Sequence, residues 1–393
     1  MLDTRMIIAC ALAAGMAAVA IAVLSPLAVR VGLVDRPNKR KLHVGNIPLI
    51  GGLAAFIGVL VGAFYYEQFV PFTYVLLATA AAITVLGAID DRFDLSVSIR
   101  LLVQTIAVLA VIASTGIYIH TLGHLFGRDV TLGWAGIPLT VIAVIGLLNA
   151  FNMMDGIDGL AGSLTLVSIA AIFLFTGRTS LPGAMVLIGL LGAALLPYLA
   201  CNVGFMGRKI FLGDAGSMLI GYVLAWTLIR LSQEPGTHLS PVDVLWCVAL
   251  PALDTIAVMY RRLRQGKSPF KPDRGHIHHI LMGMGLSQRA TLVALIALAA
   301  SIAFLGNVAH SLGAGPGSNL VAFCLFAGLY IITVTRIWGR QKAREAILVI
   351  EATSQAAPVS NVLSMVGKRA AQAQTAQKAT QQVDAREGSG AAD

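Results

Sequence analysis

The chain has 393 residues, of which 57% are hydrophobic and 12% are charged. Ordinary soluble domains contain about 45–50% apolar and about 25% charged residues, so this composition excludes a soluble globular fold. The net charge of +9 does not indicate nucleic acid as a partner, because most basic residues flank apolar segments and reflect membrane topology.

Eleven apolar segments are long enough to cross a bilayer, which takes roughly 20 residues of helix. We therefore predict an all-α polytopic membrane protein with about eleven transmembrane helices. The first segment is expected to be a retained helix rather than a removed signal peptide. The segments lie at approximately 6–27, 48–66, 71–89, 98–118, 134–150, 160–176, 183–200, 214–230, 241–259, 289–307 and 318–337.

The distribution of Lys and Arg predicts the orientation of these helices. The loops on one side carry 16 of them and the loops on the other side carry 4. The basic side is expected to be cytoplasmic, which places the N-terminus outside and the C-terminal tail inside. The four cysteines show no C-x-x-C spacing, so neither a disulfide framework nor a thiolate zinc site is indicated.

The first basic loop, within 34–52, contains Lys41 and His43 between Pro37 and Pro48. Its bases taken singly are also typical of a topology anchor. The histidine and the Pro-Gly break indicate instead a shaped loop beside an anionic ligand.

The third segment ends at Asp90 and Asp91. Carboxylates at the C-terminal end of a helix face the negative end of its dipole. The pair therefore needs a cation or a positive partner, for which Arg92 and Arg100 are candidates. The alternative is a solvated acidic loop.

The stretch 149–162 reads N-A-F-N-M-M-D-G-I-D-G-L-A-G and separates two apolar segments. Asp155 and Asp158 are three residues apart, so they share a face if a helix has begun there. Asp158 as a helix N-cap is the alternative, but a cap would explain one carboxylate only. We therefore predict a binding site.

Asp214 stands in F-L-G-D-A-G-S (211–217), at the start of the eighth segment. Asp is a good N-cap, and capping is the alternative to a site role. The acids at 90, 91, 155, 158 and 214 all fall at the same predicted membrane face, which favours a site. Asp254 is expected to pair within the bundle.

The loop 261–279 contains six Lys or Arg and three His. A zinc site is a weak alternative because no thiolate is near, whereas Arg, Lys and His together suit phosphate oxygens. Acids suit Mg²⁺ that also binds substrate phosphates. One face thus combines the groups needed for a diphosphate, a metal ion and a lipid, which predicts phosphoryl transfer to a lipid.

Four motifs carry a resemblance to a known family. These are Asp90–Asp91, N-x-x-N-x-x-D-G-x-D-G-L (149–160), F-L-G-D-A-G-S (211–217) and the basic loop ending in H-I-H-H (276–279). Over about 30–340 the chain resembles the polyprenyl-phosphate N-acetylhexosamine-1-phosphate transferases. The resemblance implies a cytoplasmic active site, UDP-GlcNAc and undecaprenyl phosphate as substrates, GlcNAc-diphosphoundecaprenol and UMP as products, and Mg²⁺ or Mn²⁺ as cofactor.

The resemblance also implies roles for individual residues. Asp90 and Asp91 fall at the catalytic position, and Asp214 and Asn152 at the metal position. Ile277 interrupts a run of histidines found in the related muramoyl-pentapeptide transferase, which favours the smaller GlcNAc donor. The residues implied in substrate binding are Asn149, Asp155, Asp158, Arg100, His43, Lys41, Arg274, His276, His278 and His279.

Residues 1–340 are expected to form the transferase domain, and 341–393 a disordered cytoplasmic tail. The implied setting is the bacterial inner membrane, at the first step of O-antigen or a related surface polysaccharide. A homodimer is left open. The alternatives are another UDP-N-acetylhexosamine donor and a cation transporter, although transporter acids should lie near the membrane midplane.

Overall fold

A computed structural model describes residues 4–36, 45–67, 71–176, 183–233, 239–268 and 275–387, with the backbone alone at 349–366 and 373–387. Helices dominate this part of the chain. They are α1 Thr4–Val31, α2 Gly51–Tyr66, α3 Pro71–Phe93, α4 Val97–Thr115, α5 Gly136–Met154, α6 Leu160–Thr176, α7 Gly183–Asn202, α8 Gly213–Gln233, α9 Asp243–Cys247, α10 Ala249–Arg264, α11 Ile277–Gly283, α12 Gln288–Ser311 and α13 Pro316–Glu387.

Among the described residues, eight helices are long and apolar enough to cross a membrane, and α2 and α6 are shorter apolar helices. The predicted all-α polytopic class is confirmed. The predicted span 241–259 is instead divided into α9 and α10 at Val248. Pro251 stands in the first turn of α10, where its missing N–H costs no intrahelical hydrogen bond, so it suits a helix that begins at Ala249.

The helix α8 lies at the centre of the bundle. Of its 21 residues 17 are buried, against seven of 28 in α1. It packs against α2, α3, α5 and α7. The first turn of α8 lies in the F-L-G-D-A-G-S motif. Several of the helices around α8 end or begin near this turn.

Glycines allow two of these neighbours to approach α8 closely. A Cβ added to Gly87 of α3 would lie 2.5 Å from the backbone of Ala215, and one added to Gly52 of α2 would lie 2.1 Å from Gly216. Such distances leave no room for a side chain. The contact at Gly87 places the C-terminal end of α3, with its two acids, against the first turn of α8.

Backbone hydrogen bonds connect the loop before α2 to the loop before α8. The N–H groups of Gly51 and Gly52 donate to the carbonyls of Phe211 and Leu212, each at 2.9 Å. Short strands β1 (Val34–Asp35) and β2 (Ile47–Pro48) pair antiparallel beside this connection. A second antiparallel pair, β3 (Thr121–Leu125) and β4 (Arg128–Thr131), lies in the loop between α4 and α5.

The chain divides into two units, residues 1–335 and 336–393. Among the described residues, the second unit is helical as far as Glu387. It is rich in Ala, Gln, Lys and Arg, which have high helix propensity.

Candidate active site

Five carboxylates line one cavity of about 620 Å³. Asp35 comes from β1, Asp91 from the last turn of α3, Asp155 and Asp158 from the turn between α5 and α6, and Asp214 from the first turn of α8. The cavity therefore brings together acids from four separate parts of the chain. Its lining also includes Asn202, Lys209, Phe211 and Gln288.

The adjacent acids Asp90 and Asp91 have different partners. Asp90 is 5% exposed, and its Oδ2 lies 2.6 Å from Arg100 of α4, while its Oδ1 accepts the N–H of Leu95. Asp91 faces the cavity and accepts the N–H groups of Asp214 at 2.9 Å and Ala215 at 3.3 Å. Asp90 thus fixes the α3–α4 corner, and Asp91 caps α8.

Asp214 does not cap its own helix. The backbone N–H groups at the start of α8 are bound by Asp91, and Asp214 is the second residue of the helix. Its Oδ2 lies 3.7 Å from Arg100, and its side chain is 31% exposed. Gly213 has φ +72°, and a Cβ there would lie 2.5 Å from Asp91 Oδ2, so the turn requires glycine.

Asp155 and Asp158 lie on either side of Gly156 in the α5–α6 turn. Asp158 pairs with Lys209 Nζ at 2.6 Å, rather than capping α6. Burial, together with the negative charges of Asp91 and Asp158, raises the pKa of Asp155 from 3.8 to about 7. Burial first, and then neighbouring negative charge, thus disfavour the ionised form of this carboxylate.

A buried amide holds the α5–α6 turn against the loop before α8. Asn202 is 3% exposed; its Oδ1 accepts the N–H of Gly159, and its Nδ2 donates to the Ile210 carbonyl at 2.9 Å. Gly159 has φ +78°. This contact fixes Asp158 relative to Lys209, which follows Asn202 in the same loop.

The two asparagines of the α5 motif do not line the cavity. Asn149 donates to Gln104 Oε1 at 3.3 Å and to the Ile145 carbonyl at 2.8 Å, so its amide is directed towards α4. Asn152 is half-buried on the last turn of α5, one turn before Asp155. In the sequence, Asn152 is closer to Asp155 than Asn149 is.

The three histidines have three different environments. His276 is 5% exposed, and its Nδ1 lies 2.7 Å from Asp254. Asp254 was expected to pair within the bundle, and His276 is one of its partners. His278 is 1% exposed and packs against Gly156. His279 is half-buried, and the centroid of its ring lies 4.2 Å from that of His278.

The environment of His278 keeps its ring neutral. Burial, and then the neighbouring rings of His279 and His276, lower its pKa from 6.5 to about 3. Near pH 7 His278 is therefore a neutral group.

Three predicted binding residues, Lys41, His43 and Arg274, lie outside the described residues. Conversely, Asn202, Lys209 and Phe211 line the cavity but were not predicted as site residues. Phe211 is the first residue of the F-L-G-D-A-G-S motif and Lys209 stands two residues before it, which is the signal in the sequence that could have identified them. Lys209 also lies 5.3 Å over the Phe211 ring, so both side chains share one wall.

The sequence of this helical membrane bundle matches a family of enzymes. The family model for glycosyl transferase family 4 matches residues 73–232, a range that includes four of the five cavity carboxylates. The chain belongs to this family.

The chain is similar to curated relatives that carry one name, undecaprenyl-phosphate alpha-N-acetylglucosaminyl 1-phosphate transferase. The Yersinia pestis protein is 41% identical over 79% of this chain and 87% of its own length. The Escherichia coli K12 protein is 43% identical over 79% and 86%. The Haemophilus influenzae protein is 38% identical over 80% and 90%.

Proposed function

We propose that this chain transfers GlcNAc-1-phosphate from UDP-GlcNAc to undecaprenyl phosphate, giving GlcNAc-diphosphoundecaprenol and UMP. The observation that carries the proposal is the cavity lined by five carboxylates. It occurs in a chain that covers 86–90% of relatives named for this transfer.

The reaction needs placement of charge more than it needs a base. An oxygen of the lipid phosphate forms a bond to the phosphorus that carries the sugar, and the bond from that phosphorus to the bridging oxygen breaks. UMP leaves with that oxygen and its electron pair. A phosphate monoester has a second pKa of about 6, so the nucleophile is already ionised near pH 7. Positioning and electrostatic stabilisation then supply most of the catalysis.

The geometry at Asp90 and Asp91 suits placement of charge. Asp90 holds Arg100 at 2.6 Å, which directs one guanidinium towards Asp214 at 3.7 Å. Asp91 orders the first turn of α8 through two backbone N–H groups. In this proposal the pair arranges cations and backbone around the incoming phosphate and does not remove a proton from it.

The acidic cavity fits Mg²⁺ or Mn²⁺ as cofactor. Burial, together with the charges of Asp91 and Asp158, raises the pKa of Asp155 to about 7, and a divalent cation among these carboxylates would favour their ionised form. Within the described part of the chain, no three His, Cys, Asp or Glu side chains converge on one metal position. Mg²⁺ takes one or two carboxylates and completes its shell with waters and substrate phosphates. Asp214 would hold the ion, which when bound neutralises charge on the diphosphate and the leaving UMP; the other predicted metal residue, Asn152, does not line the cavity.

We also propose that the chain crosses the bacterial inner membrane eleven times, with the N-terminus outside and the cavity at the cytoplasmic face. The 16 to 4 distribution of Lys and Arg between the two sets of loops supports this orientation. A cytoplasmic cavity suits a nucleotide-sugar donor. The product would enter O-antigen or a related surface polysaccharide.

The test is a donor panel. Purified protein in detergent, with undecaprenyl phosphate and Mg²⁺, is assayed with UDP-GlcNAc, UDP-GalNAc and UDP-glucose, and both UMP and the lipid product are measured. We expect UDP-GlcNAc to have the highest kcat/KM. A higher value for UDP-GalNAc would replace the donor, and absence of UMP with every donor would contradict the reaction.

A further inference from the structure

Asp254 is a fully buried carboxylate outside the cavity. It lies on α10 and is 0% exposed. Both of its oxygens face the residues that begin α11: Oδ2 lies 2.7 Å from His276 Nδ1, and Oδ1 accepts the N–H of Ile277 at 2.9 Å. A buried charge persists only with such partners, so the start of α11 is fixed to α10 at this point.

A second bond from α10 holds the same residues. Arg261, also on α10, donates from its guanidinium to the carbonyl of Gly275. Residues 275–277 are therefore held by two side chains that are about two turns apart on one helix. This attachment determines where the next residue, His278, is placed.

The His278 ring has no hydrogen bonds of its own to hold it. Among the described residues, neither of its nitrogens has a hydrogen-bond partner. It stacks on His276 with ring centroids 5.9 Å apart and an interplanar angle of 8°. The position of the ring thus follows from the backbone that carries it and from the His276 ring, and Asp254 binds both.

The His278 ring in turn forms a support for the cavity. A Cβ added to Gly156 would lie 2.2 Å from His278 Nε2, so the ring packs directly on the backbone between Asp155 and Ile157. Gly156 lines the cavity together with Asp155 and Asp158. The contacts therefore run from Asp254 through α11 to the turn that presents two of the five cavity carboxylates.

We propose that Asp254 is a positioning residue for the acidic cavity. It fixes the start of α11, which places His278 against Gly156 and so holds the Asp155–Asp158 turn in its binding geometry. Its effect on catalysis rests on the proposed function, whereas its effect on the turn does not.

A matched control is available at Asp243. This carboxylate is 1% exposed, accepts a backbone N–H from Ser240 at 2.9 Å and lies 3.2 Å from His310. It thus resembles Asp254 in burial and in the types of its partners. None of these partners lines the cavity.

The first measurement is hydrogen–deuterium exchange of the α5–α6 turn, where the N–H groups of Asp155, Gly159 and Leu160 are hydrogen-bonded. We expect faster exchange in Asp254→Ala and unchanged exchange in Asp243→Ala. Unchanged exchange in Asp254→Ala would overturn the proposal. If Asp254→Ala does not fold, Asp254→Asn is measured instead. An asparagine amide keeps one acceptor oxygen in place of two, so we expect a smaller increase in exchange rate than in Asp254→Ala. No increase in exchange rate would contradict the proposal.

The second measurement is steady-state kinetics with UDP-GlcNAc. We expect KM to rise about tenfold or more in Asp254→Ala, because a small misplacement of a binding turn is costly, and to stay unchanged in Asp243→Ala. Adding His278→Ala to Asp254→Ala should cost little more, since both act through one contact. Multiplicative losses, or equal KM changes at Asp243, would contradict the proposal. If exchange is faster in Asp254→Ala but the unsubstituted protein shows no turnover, the proposed function is rejected and the positioning role of Asp254 remains.

Discussion

Asp90 and Asp91 are adjacent in sequence, yet their side chains contact different parts of the site. Asp90 is buried against Arg100, and Asp91 lines the cavity while it caps α8. Asp90→Asn removes the charge that Arg100 faces, and hydrogen bonds to charged groups contribute about 1.5–3 kcal/mol. Substitution of Asp90 should therefore affect stability more than substitution of Asp91.

The pH dependence of Asp91→Asn separates positioning from base catalysis. We expect a loss in kcat of about 100-fold, the scale of removing one preorganised electrostatic group. The loss should stay constant from about pH 7 upward, because the lipid phosphate is already ionised there. The measurement is kcat from pH 6 to 9 for both proteins. Strong recovery of the variant at high pH would identify Asp91 as the general base.

Asp214→Asn tests the proposed metal position. We expect a loss of about 100-fold in kcat with a Tm close to that of the unsubstituted protein, because Asp91 and not Asp214 caps α8. Asp94→Asn is the control, since Asp94 is an exposed acid near the end of α3 that does not line the cavity. Normal turnover of Asp214→Asn at limiting Mg²⁺ would remove Asp214 from the metal position.

The chemistry of the site could be predicted from residue types, but individual roles could not. Spacing and composition placed the acids at one membrane face, and the structure brings four of them to one cavity. Nothing in the sequence shows that Asp91 caps a helix that begins more than 120 residues later. His276 and His278 are buried, and burial depends on tertiary contacts that a basic loop motif does not encode.

At the scale of elements, the crossing of α3 and α8 determines where the acids meet. Gly87→Ala would place a Cβ 2.5 Å from the backbone of Ala215, so the two helices must separate. We expect a lower Tm and a lower kcat/KM together. Gly146→Ala on α5 is the control, because no atom lies within 4 Å of its added Cβ.

The control substitution should be neutral or stabilising, since Ala is favoured over Gly in a helix interior by roughly 0.5–1 kcal/mol. Equal behaviour of the two variants, measured by thermal unfolding in detergent and by UMP release, would contradict the role of the crossing.

Hydrophobic length predicted most elements, because ten of the eleven apolar segments each correspond to one described helix. It did not predict the division between α9 and α10 at Val248. A hydropathy window averages over Pro251, whose missing N–H acts at one position only. Length likewise gave no indication that α10 would hold the start of α11 through Asp254.

At the scale of the whole molecule, the cavity belongs to the unit formed by residues 1–335. Truncation after residue 340 should therefore leave kcat and KM for UDP-GlcNAc within about twofold, because surface changes away from a site usually cost little. The truncated and full chains are compared at equal amounts of membrane-inserted protein. Loss of activity in folded truncated protein would give the second unit a catalytic role.

The most direct test of the proposed reaction follows the phosphorus that carries the sugar. UDP-GlcNAc labelled with ³²P in its β-phosphate is incubated with the purified chain, undecaprenyl phosphate and Mg²⁺, and the lipid and nucleotide products are separated. We predict that the label moves to the lipid fraction with equimolar release of unlabelled UMP, and that Asp214→Asn slows both by about 100-fold. Release of labelled UDP, with the sugar alone on the lipid, would contradict transfer of GlcNAc-1-phosphate.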